Sequence, residues 1–138
     1  MIKTSAENFK PAALEKNIQL VCDFQADGTL QITADYSRIK QVIFNILSNA
    51  VKYTEHGSVK ISVDNKDCVE VSITDTGIGI SKTDLPHVFE RFYRCDKSRK
   101  RGGSGVGLTI AAAIIAAHNG TITVESSEFS GSTFRIRL

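Results

Sequence analysis

The sequence predicts an α+β domain: a two-layer sandwich in which a mixed sheet of about five strands carries about three helices on one face. Three observations lead there. Residues 38–54 follow a helical period that places Ile39, Ile43, Ile46, Leu47, Ala50 and Val51 on one broad face. Val59, Ile61 and Val63, then Val69, Val71 and Ile73, alternate on either side of Asn65-Lys66-Asp67, the pattern of a hairpin with one buried face. A second alternating pair, 121–124 and 133–138, closes the chain around Gly131.

Bulk properties narrow the class. At 138 residues the chain is expected to form one domain over 1–138, burying roughly two-thirds of its unfolded surface. Hydrophobic and charged fractions of 41% and 23% are those of an ordinary globular protein. A net charge of +2 gives no case for nucleic acid. The longest apolar run, Ile110 to Ala117, falls far short of the roughly 20 residues of a membrane span, and no signal peptide precedes the first element. Cys22, Cys68 and Cys95 are odd in number and lack CxxC spacing, so reduced thiols in a cytoplasmic setting are expected.

The elements follow in order. Thr4 or Ser5 is read as the cap of a first helix running to Lys16, with Pro11 at a break or fresh first turn. Ile18 to Phe24 reads as a strand; Ala26-Asp27-Gly28 turns, and Leu30 and Ile32 alternate on a second short strand. Asp35 is the expected N-cap of the central helix, which is expected to stop at Glu55-His56-Gly57 with Gly57 left-handed. Ser81-Lys82-Thr83-Asp84 has capping-box-like spacing and opens a short helical region with Leu85, Val88, Phe89 and Phe92. A glycine-rich stretch, 102–107, then leads into an apolar helix ending near His118-Asn119-Gly120.

Several stretches carry chemistry. Arg38, Gln41, Asn45, Asn49 and Lys52 form a narrow polar seam on the central helix. Asparagine is a poor helix former, so the pair at i, i+4 reads either as a hydrogen-bonded seam or as amide ligands for a hard cation, with Lys52 suited to phosphate. Gly103-Ser104-Gly105-Val106-Gly107 entering a helix offers bare N–H groups to phosphate, and equally a hinge. It lacks Rossmann spacing, and no GxxxxGK[ST] occurs. Asp75 ahead of Gly77 and Gly79 could accept from the exocyclic amine of a flat base, or cap a neighbour in a tight turn. Residues 91–101 hold six basic side chains against Asp96 alone, a solvated loop or a cationic lid over a polyphosphate.

Taken in sequence, Asn-x-x-x-Asn-Ala-x-Lys-Tyr, DTGIGI, FERFYR and GGSGVGL make the chain resemble the catalytic, ATP-binding domain of bacterial sensor histidine kinases. These belong to the Bergerat-fold group that includes gyrase-type ATPases, and the resemblance covers nearly the whole chain. It implies that ATP and Mg²⁺ are the cofactors, with Asn49 ligating Mg²⁺ and Asn45 supporting metal and phosphate. Lys52 is implied to reach the phosphates, Tyr53 to lie near the nucleotide, and Asp75 to bond the adenine amine. Gly77, Gly79 and Ile80 would shape the base pocket, Phe89 and Phe92 anchor the lid, and Arg94 help position phosphate. Gly103, Ser104, Gly105, Val106, Gly107 and Leu108 would form the hinge and phosphate-facing end, and Thr133 would reach adenine through water. Asn45, Lys52 and Arg94 are the implied catalytic set.

Related ATPases that hydrolyse ATP carry Glu where Asn45 stands; an amide cannot accept a proton from water, so slow hydrolysis is expected. The implied activity is transfer of the γ-phosphate to a histidine on the kinase's own dimerisation domain, for relay to a response regulator. His56, His87 and His118 all lack the setting of such an acceptor, so the chain is read as a piece of a longer, membrane-bound receptor with the dimerisation domain absent. The piece itself is expected to be cytoplasmic and monomeric. Two other readings stand beside it: an ATP-sensing interaction module, against which the intact motifs argue, and a serine protein kinase of the anti-sigma type, which shares the fold but is disfavoured by FERFYR and Asn-Ala-x-Lys-Tyr.

Overall fold

The computed structural model describes residues 2–25, 32–65, 67–95 and 105–138. Five strands, β1 (Ile18–Phe24), β2 (Gly57–Asp64), β3 (Glu70–Asp75), β4 (Thr121–Ser126) and β5 (Ser132–Arg137), form one sheet in the order β1-β2-β3-β5-β4. β1 runs parallel to β2, with Ile18 opposite Gly57, and the remaining neighbours are antiparallel. The sheet is therefore mixed, as helices alternating with short hairpins lead one to expect.

One face of the sheet is apolar and the other wet. Val59, Ile61, Val71, Ile73, Phe134 and Ile136 are buried. The opposite face carries ion pairs, Lys60 to Asp23 at 2.8 Å, Arg135 to Glu125 at 2.7 Å and Arg137 to Glu70 at 2.6 Å. Exposed pairs of this kind add little stability. They do explain why every second strand residue is polar.

Among the described residues the helices are α1 (Ile2–Glu7), α2 (Lys10–Glu15), α3 (Tyr36–Tyr53) and α4 (Gly107–Ala117), with a 3₁₀ turn at Leu85–His87. α3 begins where Asp35 accepts from the Arg38 N–H at 3.0 Å, as its N-cap role requires. Its Val42, Ile43, Ile46 and Leu47 are wholly buried against the sheet and against Ala111 and Ile115 of α4. Truncating one of the larger of these to alanine costs about 2–5 kcal/mol.

The far end of α3 is held from a distance. Lys16, just past α2, donates its ammonium to Val51 O at 2.7 Å and Lys52 O at 3.1 Å. A cation there answers both the unpaired carbonyls and the negative end of the helix dipole. The same turn of α3 carries Asn49, Lys52 and Tyr53.

Several boundaries differ from expectation. The first helical stretch is two helices broken at Asn8-Phe9, with Pro11 in the first turn of the second, and Thr4 and Ser5 lie inside α1 instead of capping it. α3 stops at Tyr53 because Thr54 turns extended and its Oγ1 donates back to Ala50 O at 2.7 Å. Gly57 has φ +106° but opens β2; a Cβ there would sit 2.1 Å from Thr76 Oγ1. Ile32 lies in no strand, and the turn and Leu30 expected before it fall outside the described residues. The helix expected after Ser81 shrinks to the 3₁₀ turn, although Ser81 Oγ does accept from the Asp84 N–H at 3.1 Å.

Candidate functional site

Above the carboxyl end of β3 lies a cavity of about 690 Å³ between α3, the loop 77–81 and the segments 93–95 and 105–108. α3 supplies Asn45, Ser48, Asn49, Lys52 and Tyr53 to its wall. Those residues share the helix face turned away from the core, so the polar seam read from the sequence opens onto this space. Asn45 donates through Nδ2 to Gly107 O at 3.0 Å, tying α3 to the first turn of α4 and leaving Oδ1 as its acceptor.

Asp75 ends β3 and is 6% exposed. Burial raises its carboxyl above the usual range, while backbone N–H groups of Gly77 and Ser132 partly offset this. The Gly77 N–H reaches Oδ1 at 2.8 Å. A buried carboxylate with two donors already supplied is a strong acceptor for one more donor entering the cavity.

The loop after β3 is clasped by the β4–β5 turn. Phe129 N–H donates to Ile78 O at 2.8 Å, and Ile80 N–H donates to Ser126 Oγ at 2.8 Å. Gly79 has φ +68°, and a Cβ would lie 1.9 Å from Ser127 O, so only glycine allows this approach.

The opposite rim is held by side chains that sequence reading overlooked. Tyr93 Oη donates to Asp84 Oδ1 at 2.5 Å, which holds the Asp84 carboxyl below its usual range. His87 stacks on the Tyr93 ring at 5.2 Å and meets Glu90 through Nδ1 at 2.7 Å. Phe92 N–H donates to Gly105 O at 2.9 Å, and Thr109 Oγ1 donates to Phe89 O at 3.0 Å. The segment 89–93 is thereby joined to the start of α4.

Of the residues singled out by sequence, Asn45, Asn49, Lys52, Tyr53, Asp75, Gly79, Ile80, Arg94, Gly105, Gly107 and Leu108 line this one cavity. Gly77 supports Asp75 from behind, and Phe89 packs edge-on against Phe134 at 6.3 Å, with Val106 capping α4. Gly103, Ser104 and the basic residues 97 and 99–101 lie outside the described residues.

Two of the implied residues sit away from the cavity wall. Phe92, implied as a lid anchor, is 64% exposed with φ +64°, its ring under the Arg91 guanidinium and its N–H on Gly105 O. Thr133 points to the wet face of the sheet, 3.1 Å from Thr74 Oγ1, and Ser132 takes the cavity side. A shift of one residue in a strand reverses the face, and the sequence offers small hydroxyl residues at both positions. His118 links α4 to the N-cap of α3: its Nδ1 donates to Ile114 O at 2.8 Å and its Nε2 accepts from the Asp35 N–H at 3.1 Å.

The donor set suits a divalent cation held partly by its ligand. Amide oxygens of Asn45 and Asn49 are neutral and hard, and among the described residues no cluster of three His, Cys, Asp or Glu could hold a metal unaided. An ion here would need phosphate oxygens to complete its shell.

Known proteins resemble this chain in sequence and in fold. Residues 34–138 match the family described as histidine kinase-, DNA gyrase B-, and HSP90-like ATPase. The sensor histidine kinase WalK of Bacillus subtilis is 44% identical over 118 residues, 81% of this chain and 19% of WalK. The sensor-like histidine kinase SenX3 of Mycobacterium tuberculosis is 39% identical over 142 residues, 100% of this chain and 34% of SenX3. The chain thus spans 19% and 34% of these relatives' own lengths. Among solved structures, ShkA in complex with AMPPNP superposes with TM-score 0.87 at 30% identity, covering 99% of this chain and 28% of ShkA. The catalytic domain of histidine kinase ThkA superposes with TM-score 0.85 at 28% identity, covering 99% of this chain and 90% of that one. Among the described residues no helix is long and apolar enough to cross a membrane. The family match over residues 34–138, together with these relatives, shows that this chain belongs to the histidine kinase-, DNA gyrase B- and HSP90-like ATPase family, as an ATP-binding catalytic domain of the sensor histidine kinase type.

Proposed function

We propose that this domain binds Mg·ATP in the cavity and donates the γ-phosphate to a histidine on a separate dimerisation domain of its own kinase, for relay to a response regulator. The observation that carries the reading is the convergence of Asp75 with Asn45, Asn49 and Lys52 on one cavity. Asp75, buried and already served by two N–H groups, would take the adenine amine. Asn49, with Asn45 beside it, would hold Mg²⁺, which when bound neutralises charge on the phosphates. Lys52 and Arg94 would face the phosphate oxygens.

Phosphoryl transfer through a loose transition state is driven by positioning and charge neutralisation. Asn45 suits transfer better than hydrolysis, because an amide cannot take a proton from water. Its Nδ2 bond to Gly107 O also couples the phosphate end to the start of α4.

The test is transfer of labelled phosphate from ATP to an added dimerisation domain of a related kinase. Acid-labile label on a histidine is the expected result. Label that is acid-stable and sits on serine would replace this reading with a serine kinase, and no transfer despite tight ATP binding would favour a sensing module.

A further inference from the structure

We propose that Ser126 sets base specificity by fixing the hydroxyl of Ser132 as an acceptor toward the cavity. The inference rests on the nucleotide reading above and assigns a positioning role to a residue outside the cavity wall.

A serine hydroxyl has one hydrogen and two lone pairs. Ser126 Oγ donates its hydrogen to Gly131 O at 2.7 Å. It accepts the Ile80 N–H at 2.8 Å. Its remaining contact, Ser132 Oγ at 3.0 Å, must therefore be donated by Ser132. Ser132 then has no hydrogen left for the cavity it lines, and only lone pairs face inward.

Asp75, the residue opposite Ser132 in the β3–β5 register, presents a carboxylate to the same end of the cavity. The two groups make a wall of acceptors. A purine bearing a 6-amino group brings donors to such a wall, whereas a 6-oxo group brings a carbonyl against lone pairs. The chemistry selects amino purines partly by what it refuses. The relay is held on both sides, since Ile80 belongs to the loop after β3 and Gly131 to the turn before β5.

Calorimetry of the chain with ATP and with ITP, which exchanges the amino group for a carbonyl, tests this. The unaltered protein should prefer ATP. Ser126→Ala frees the Ser132 hydroxyl to turn inward and donate, so the ATP-to-ITP affinity ratio should fall about three- to tenfold, the worth of one hydrogen bond. Ser126→Thr keeps the hydroxyl and should restore the ratio; a merely structural role would weaken both nucleotides alike and leave the ratio unmoved. An unchanged ratio in Ser126→Ala, or a fall in Ser126→Thr equal to it, would overturn the proposal. If circular dichroism shows Ser126→Ala unfolded, Ser132→Ala decides: ATP alone should weaken, and equal weakening of both nucleotides would refute the acceptor role. An unaltered chain that bound neither nucleotide would instead overturn the nucleotide reading and this inference with it.

Discussion

Lys16→Met removes a charge that the fold uses at a distance. The ammonium donates to two carbonyls at the end of α3, 2.7 and 3.1 Å away, in a half-buried setting. Methionine keeps the unbranched stem and deletes only the donor. Hydrogen bonds to charged groups are worth about 1.5–3 kcal/mol each when fully buried, and partial exposure reduces that, so a net loss of about 2 kcal/mol is expected for the pair. For a chain of 138 residues this lowers Tm by roughly 5–8 °C. Because the freed turn carries Lys52 and Tyr53, ATP affinity should fall in parallel, by several-fold. Thermal unfolding by circular dichroism, paired with nucleotide titration, reads both effects. A Tm within 1 °C of the unaltered protein would mean that the ammonium does not cap α3.

Further expectations concern the site itself. Asn45→Glu supplies a carboxylate able to accept a proton from water, so phosphate release from ATP should rise about tenfold or more, at some cost in stability from the lost bond to Gly107 O; unchanged release would refute the general-base argument. Tyr93→Phe removes the largest cause of the depressed Asp84 pKa, so its NMR titration should move up toward the ordinary carboxyl range. The sign follows from linkage: the Tyr93 contact stabilises the fold above the ordinary carboxyl pKa and is lost as pH falls through the depressed value. Loss of that acid-side margin in Tyr93→Phe is the second readout, and identical titrations would contradict the contact. Gly79→Ala should destabilise by about 2 kcal/mol or more in denaturant melts, because its Cβ would meet Ser127 O in a left-handed backbone; a neutral effect would mean that the clasp is loose.

Much of the fold was legible because its signals are local. Ile39 to Val51 and the Val59 to Ile73 hairpin bury one face each, so period alone identifies helix and strand. Asp35 as cap follows from one side chain and the N–H three residues on. What escaped reading depends on contacts far apart in the chain. The Lys16 cap on α3 and the Asn45 bond to Gly107 have no local signature. Ser132 and Thr133 are both small hydroxyl residues, so composition could not say which faces the cavity; the β3–β5 register does. Asp75 was visible as an acidic residue before glycines, but the second backbone donor to it, from Ser132, comes from a strand more than fifty residues away.

The most direct test of the nucleotide site is calorimetric titration with ATP, in excess Mg²⁺ and again in EDTA, on the unaltered chain and on Asp75→Asn. Binding that weakens without the metal, and weakens about ten- to a hundredfold in Asp75→Asn, is the expected result. Failure of the unaltered chain to bind millimolar ATP with Mg²⁺ present, or equal binding by Asp75→Asn, would contradict it.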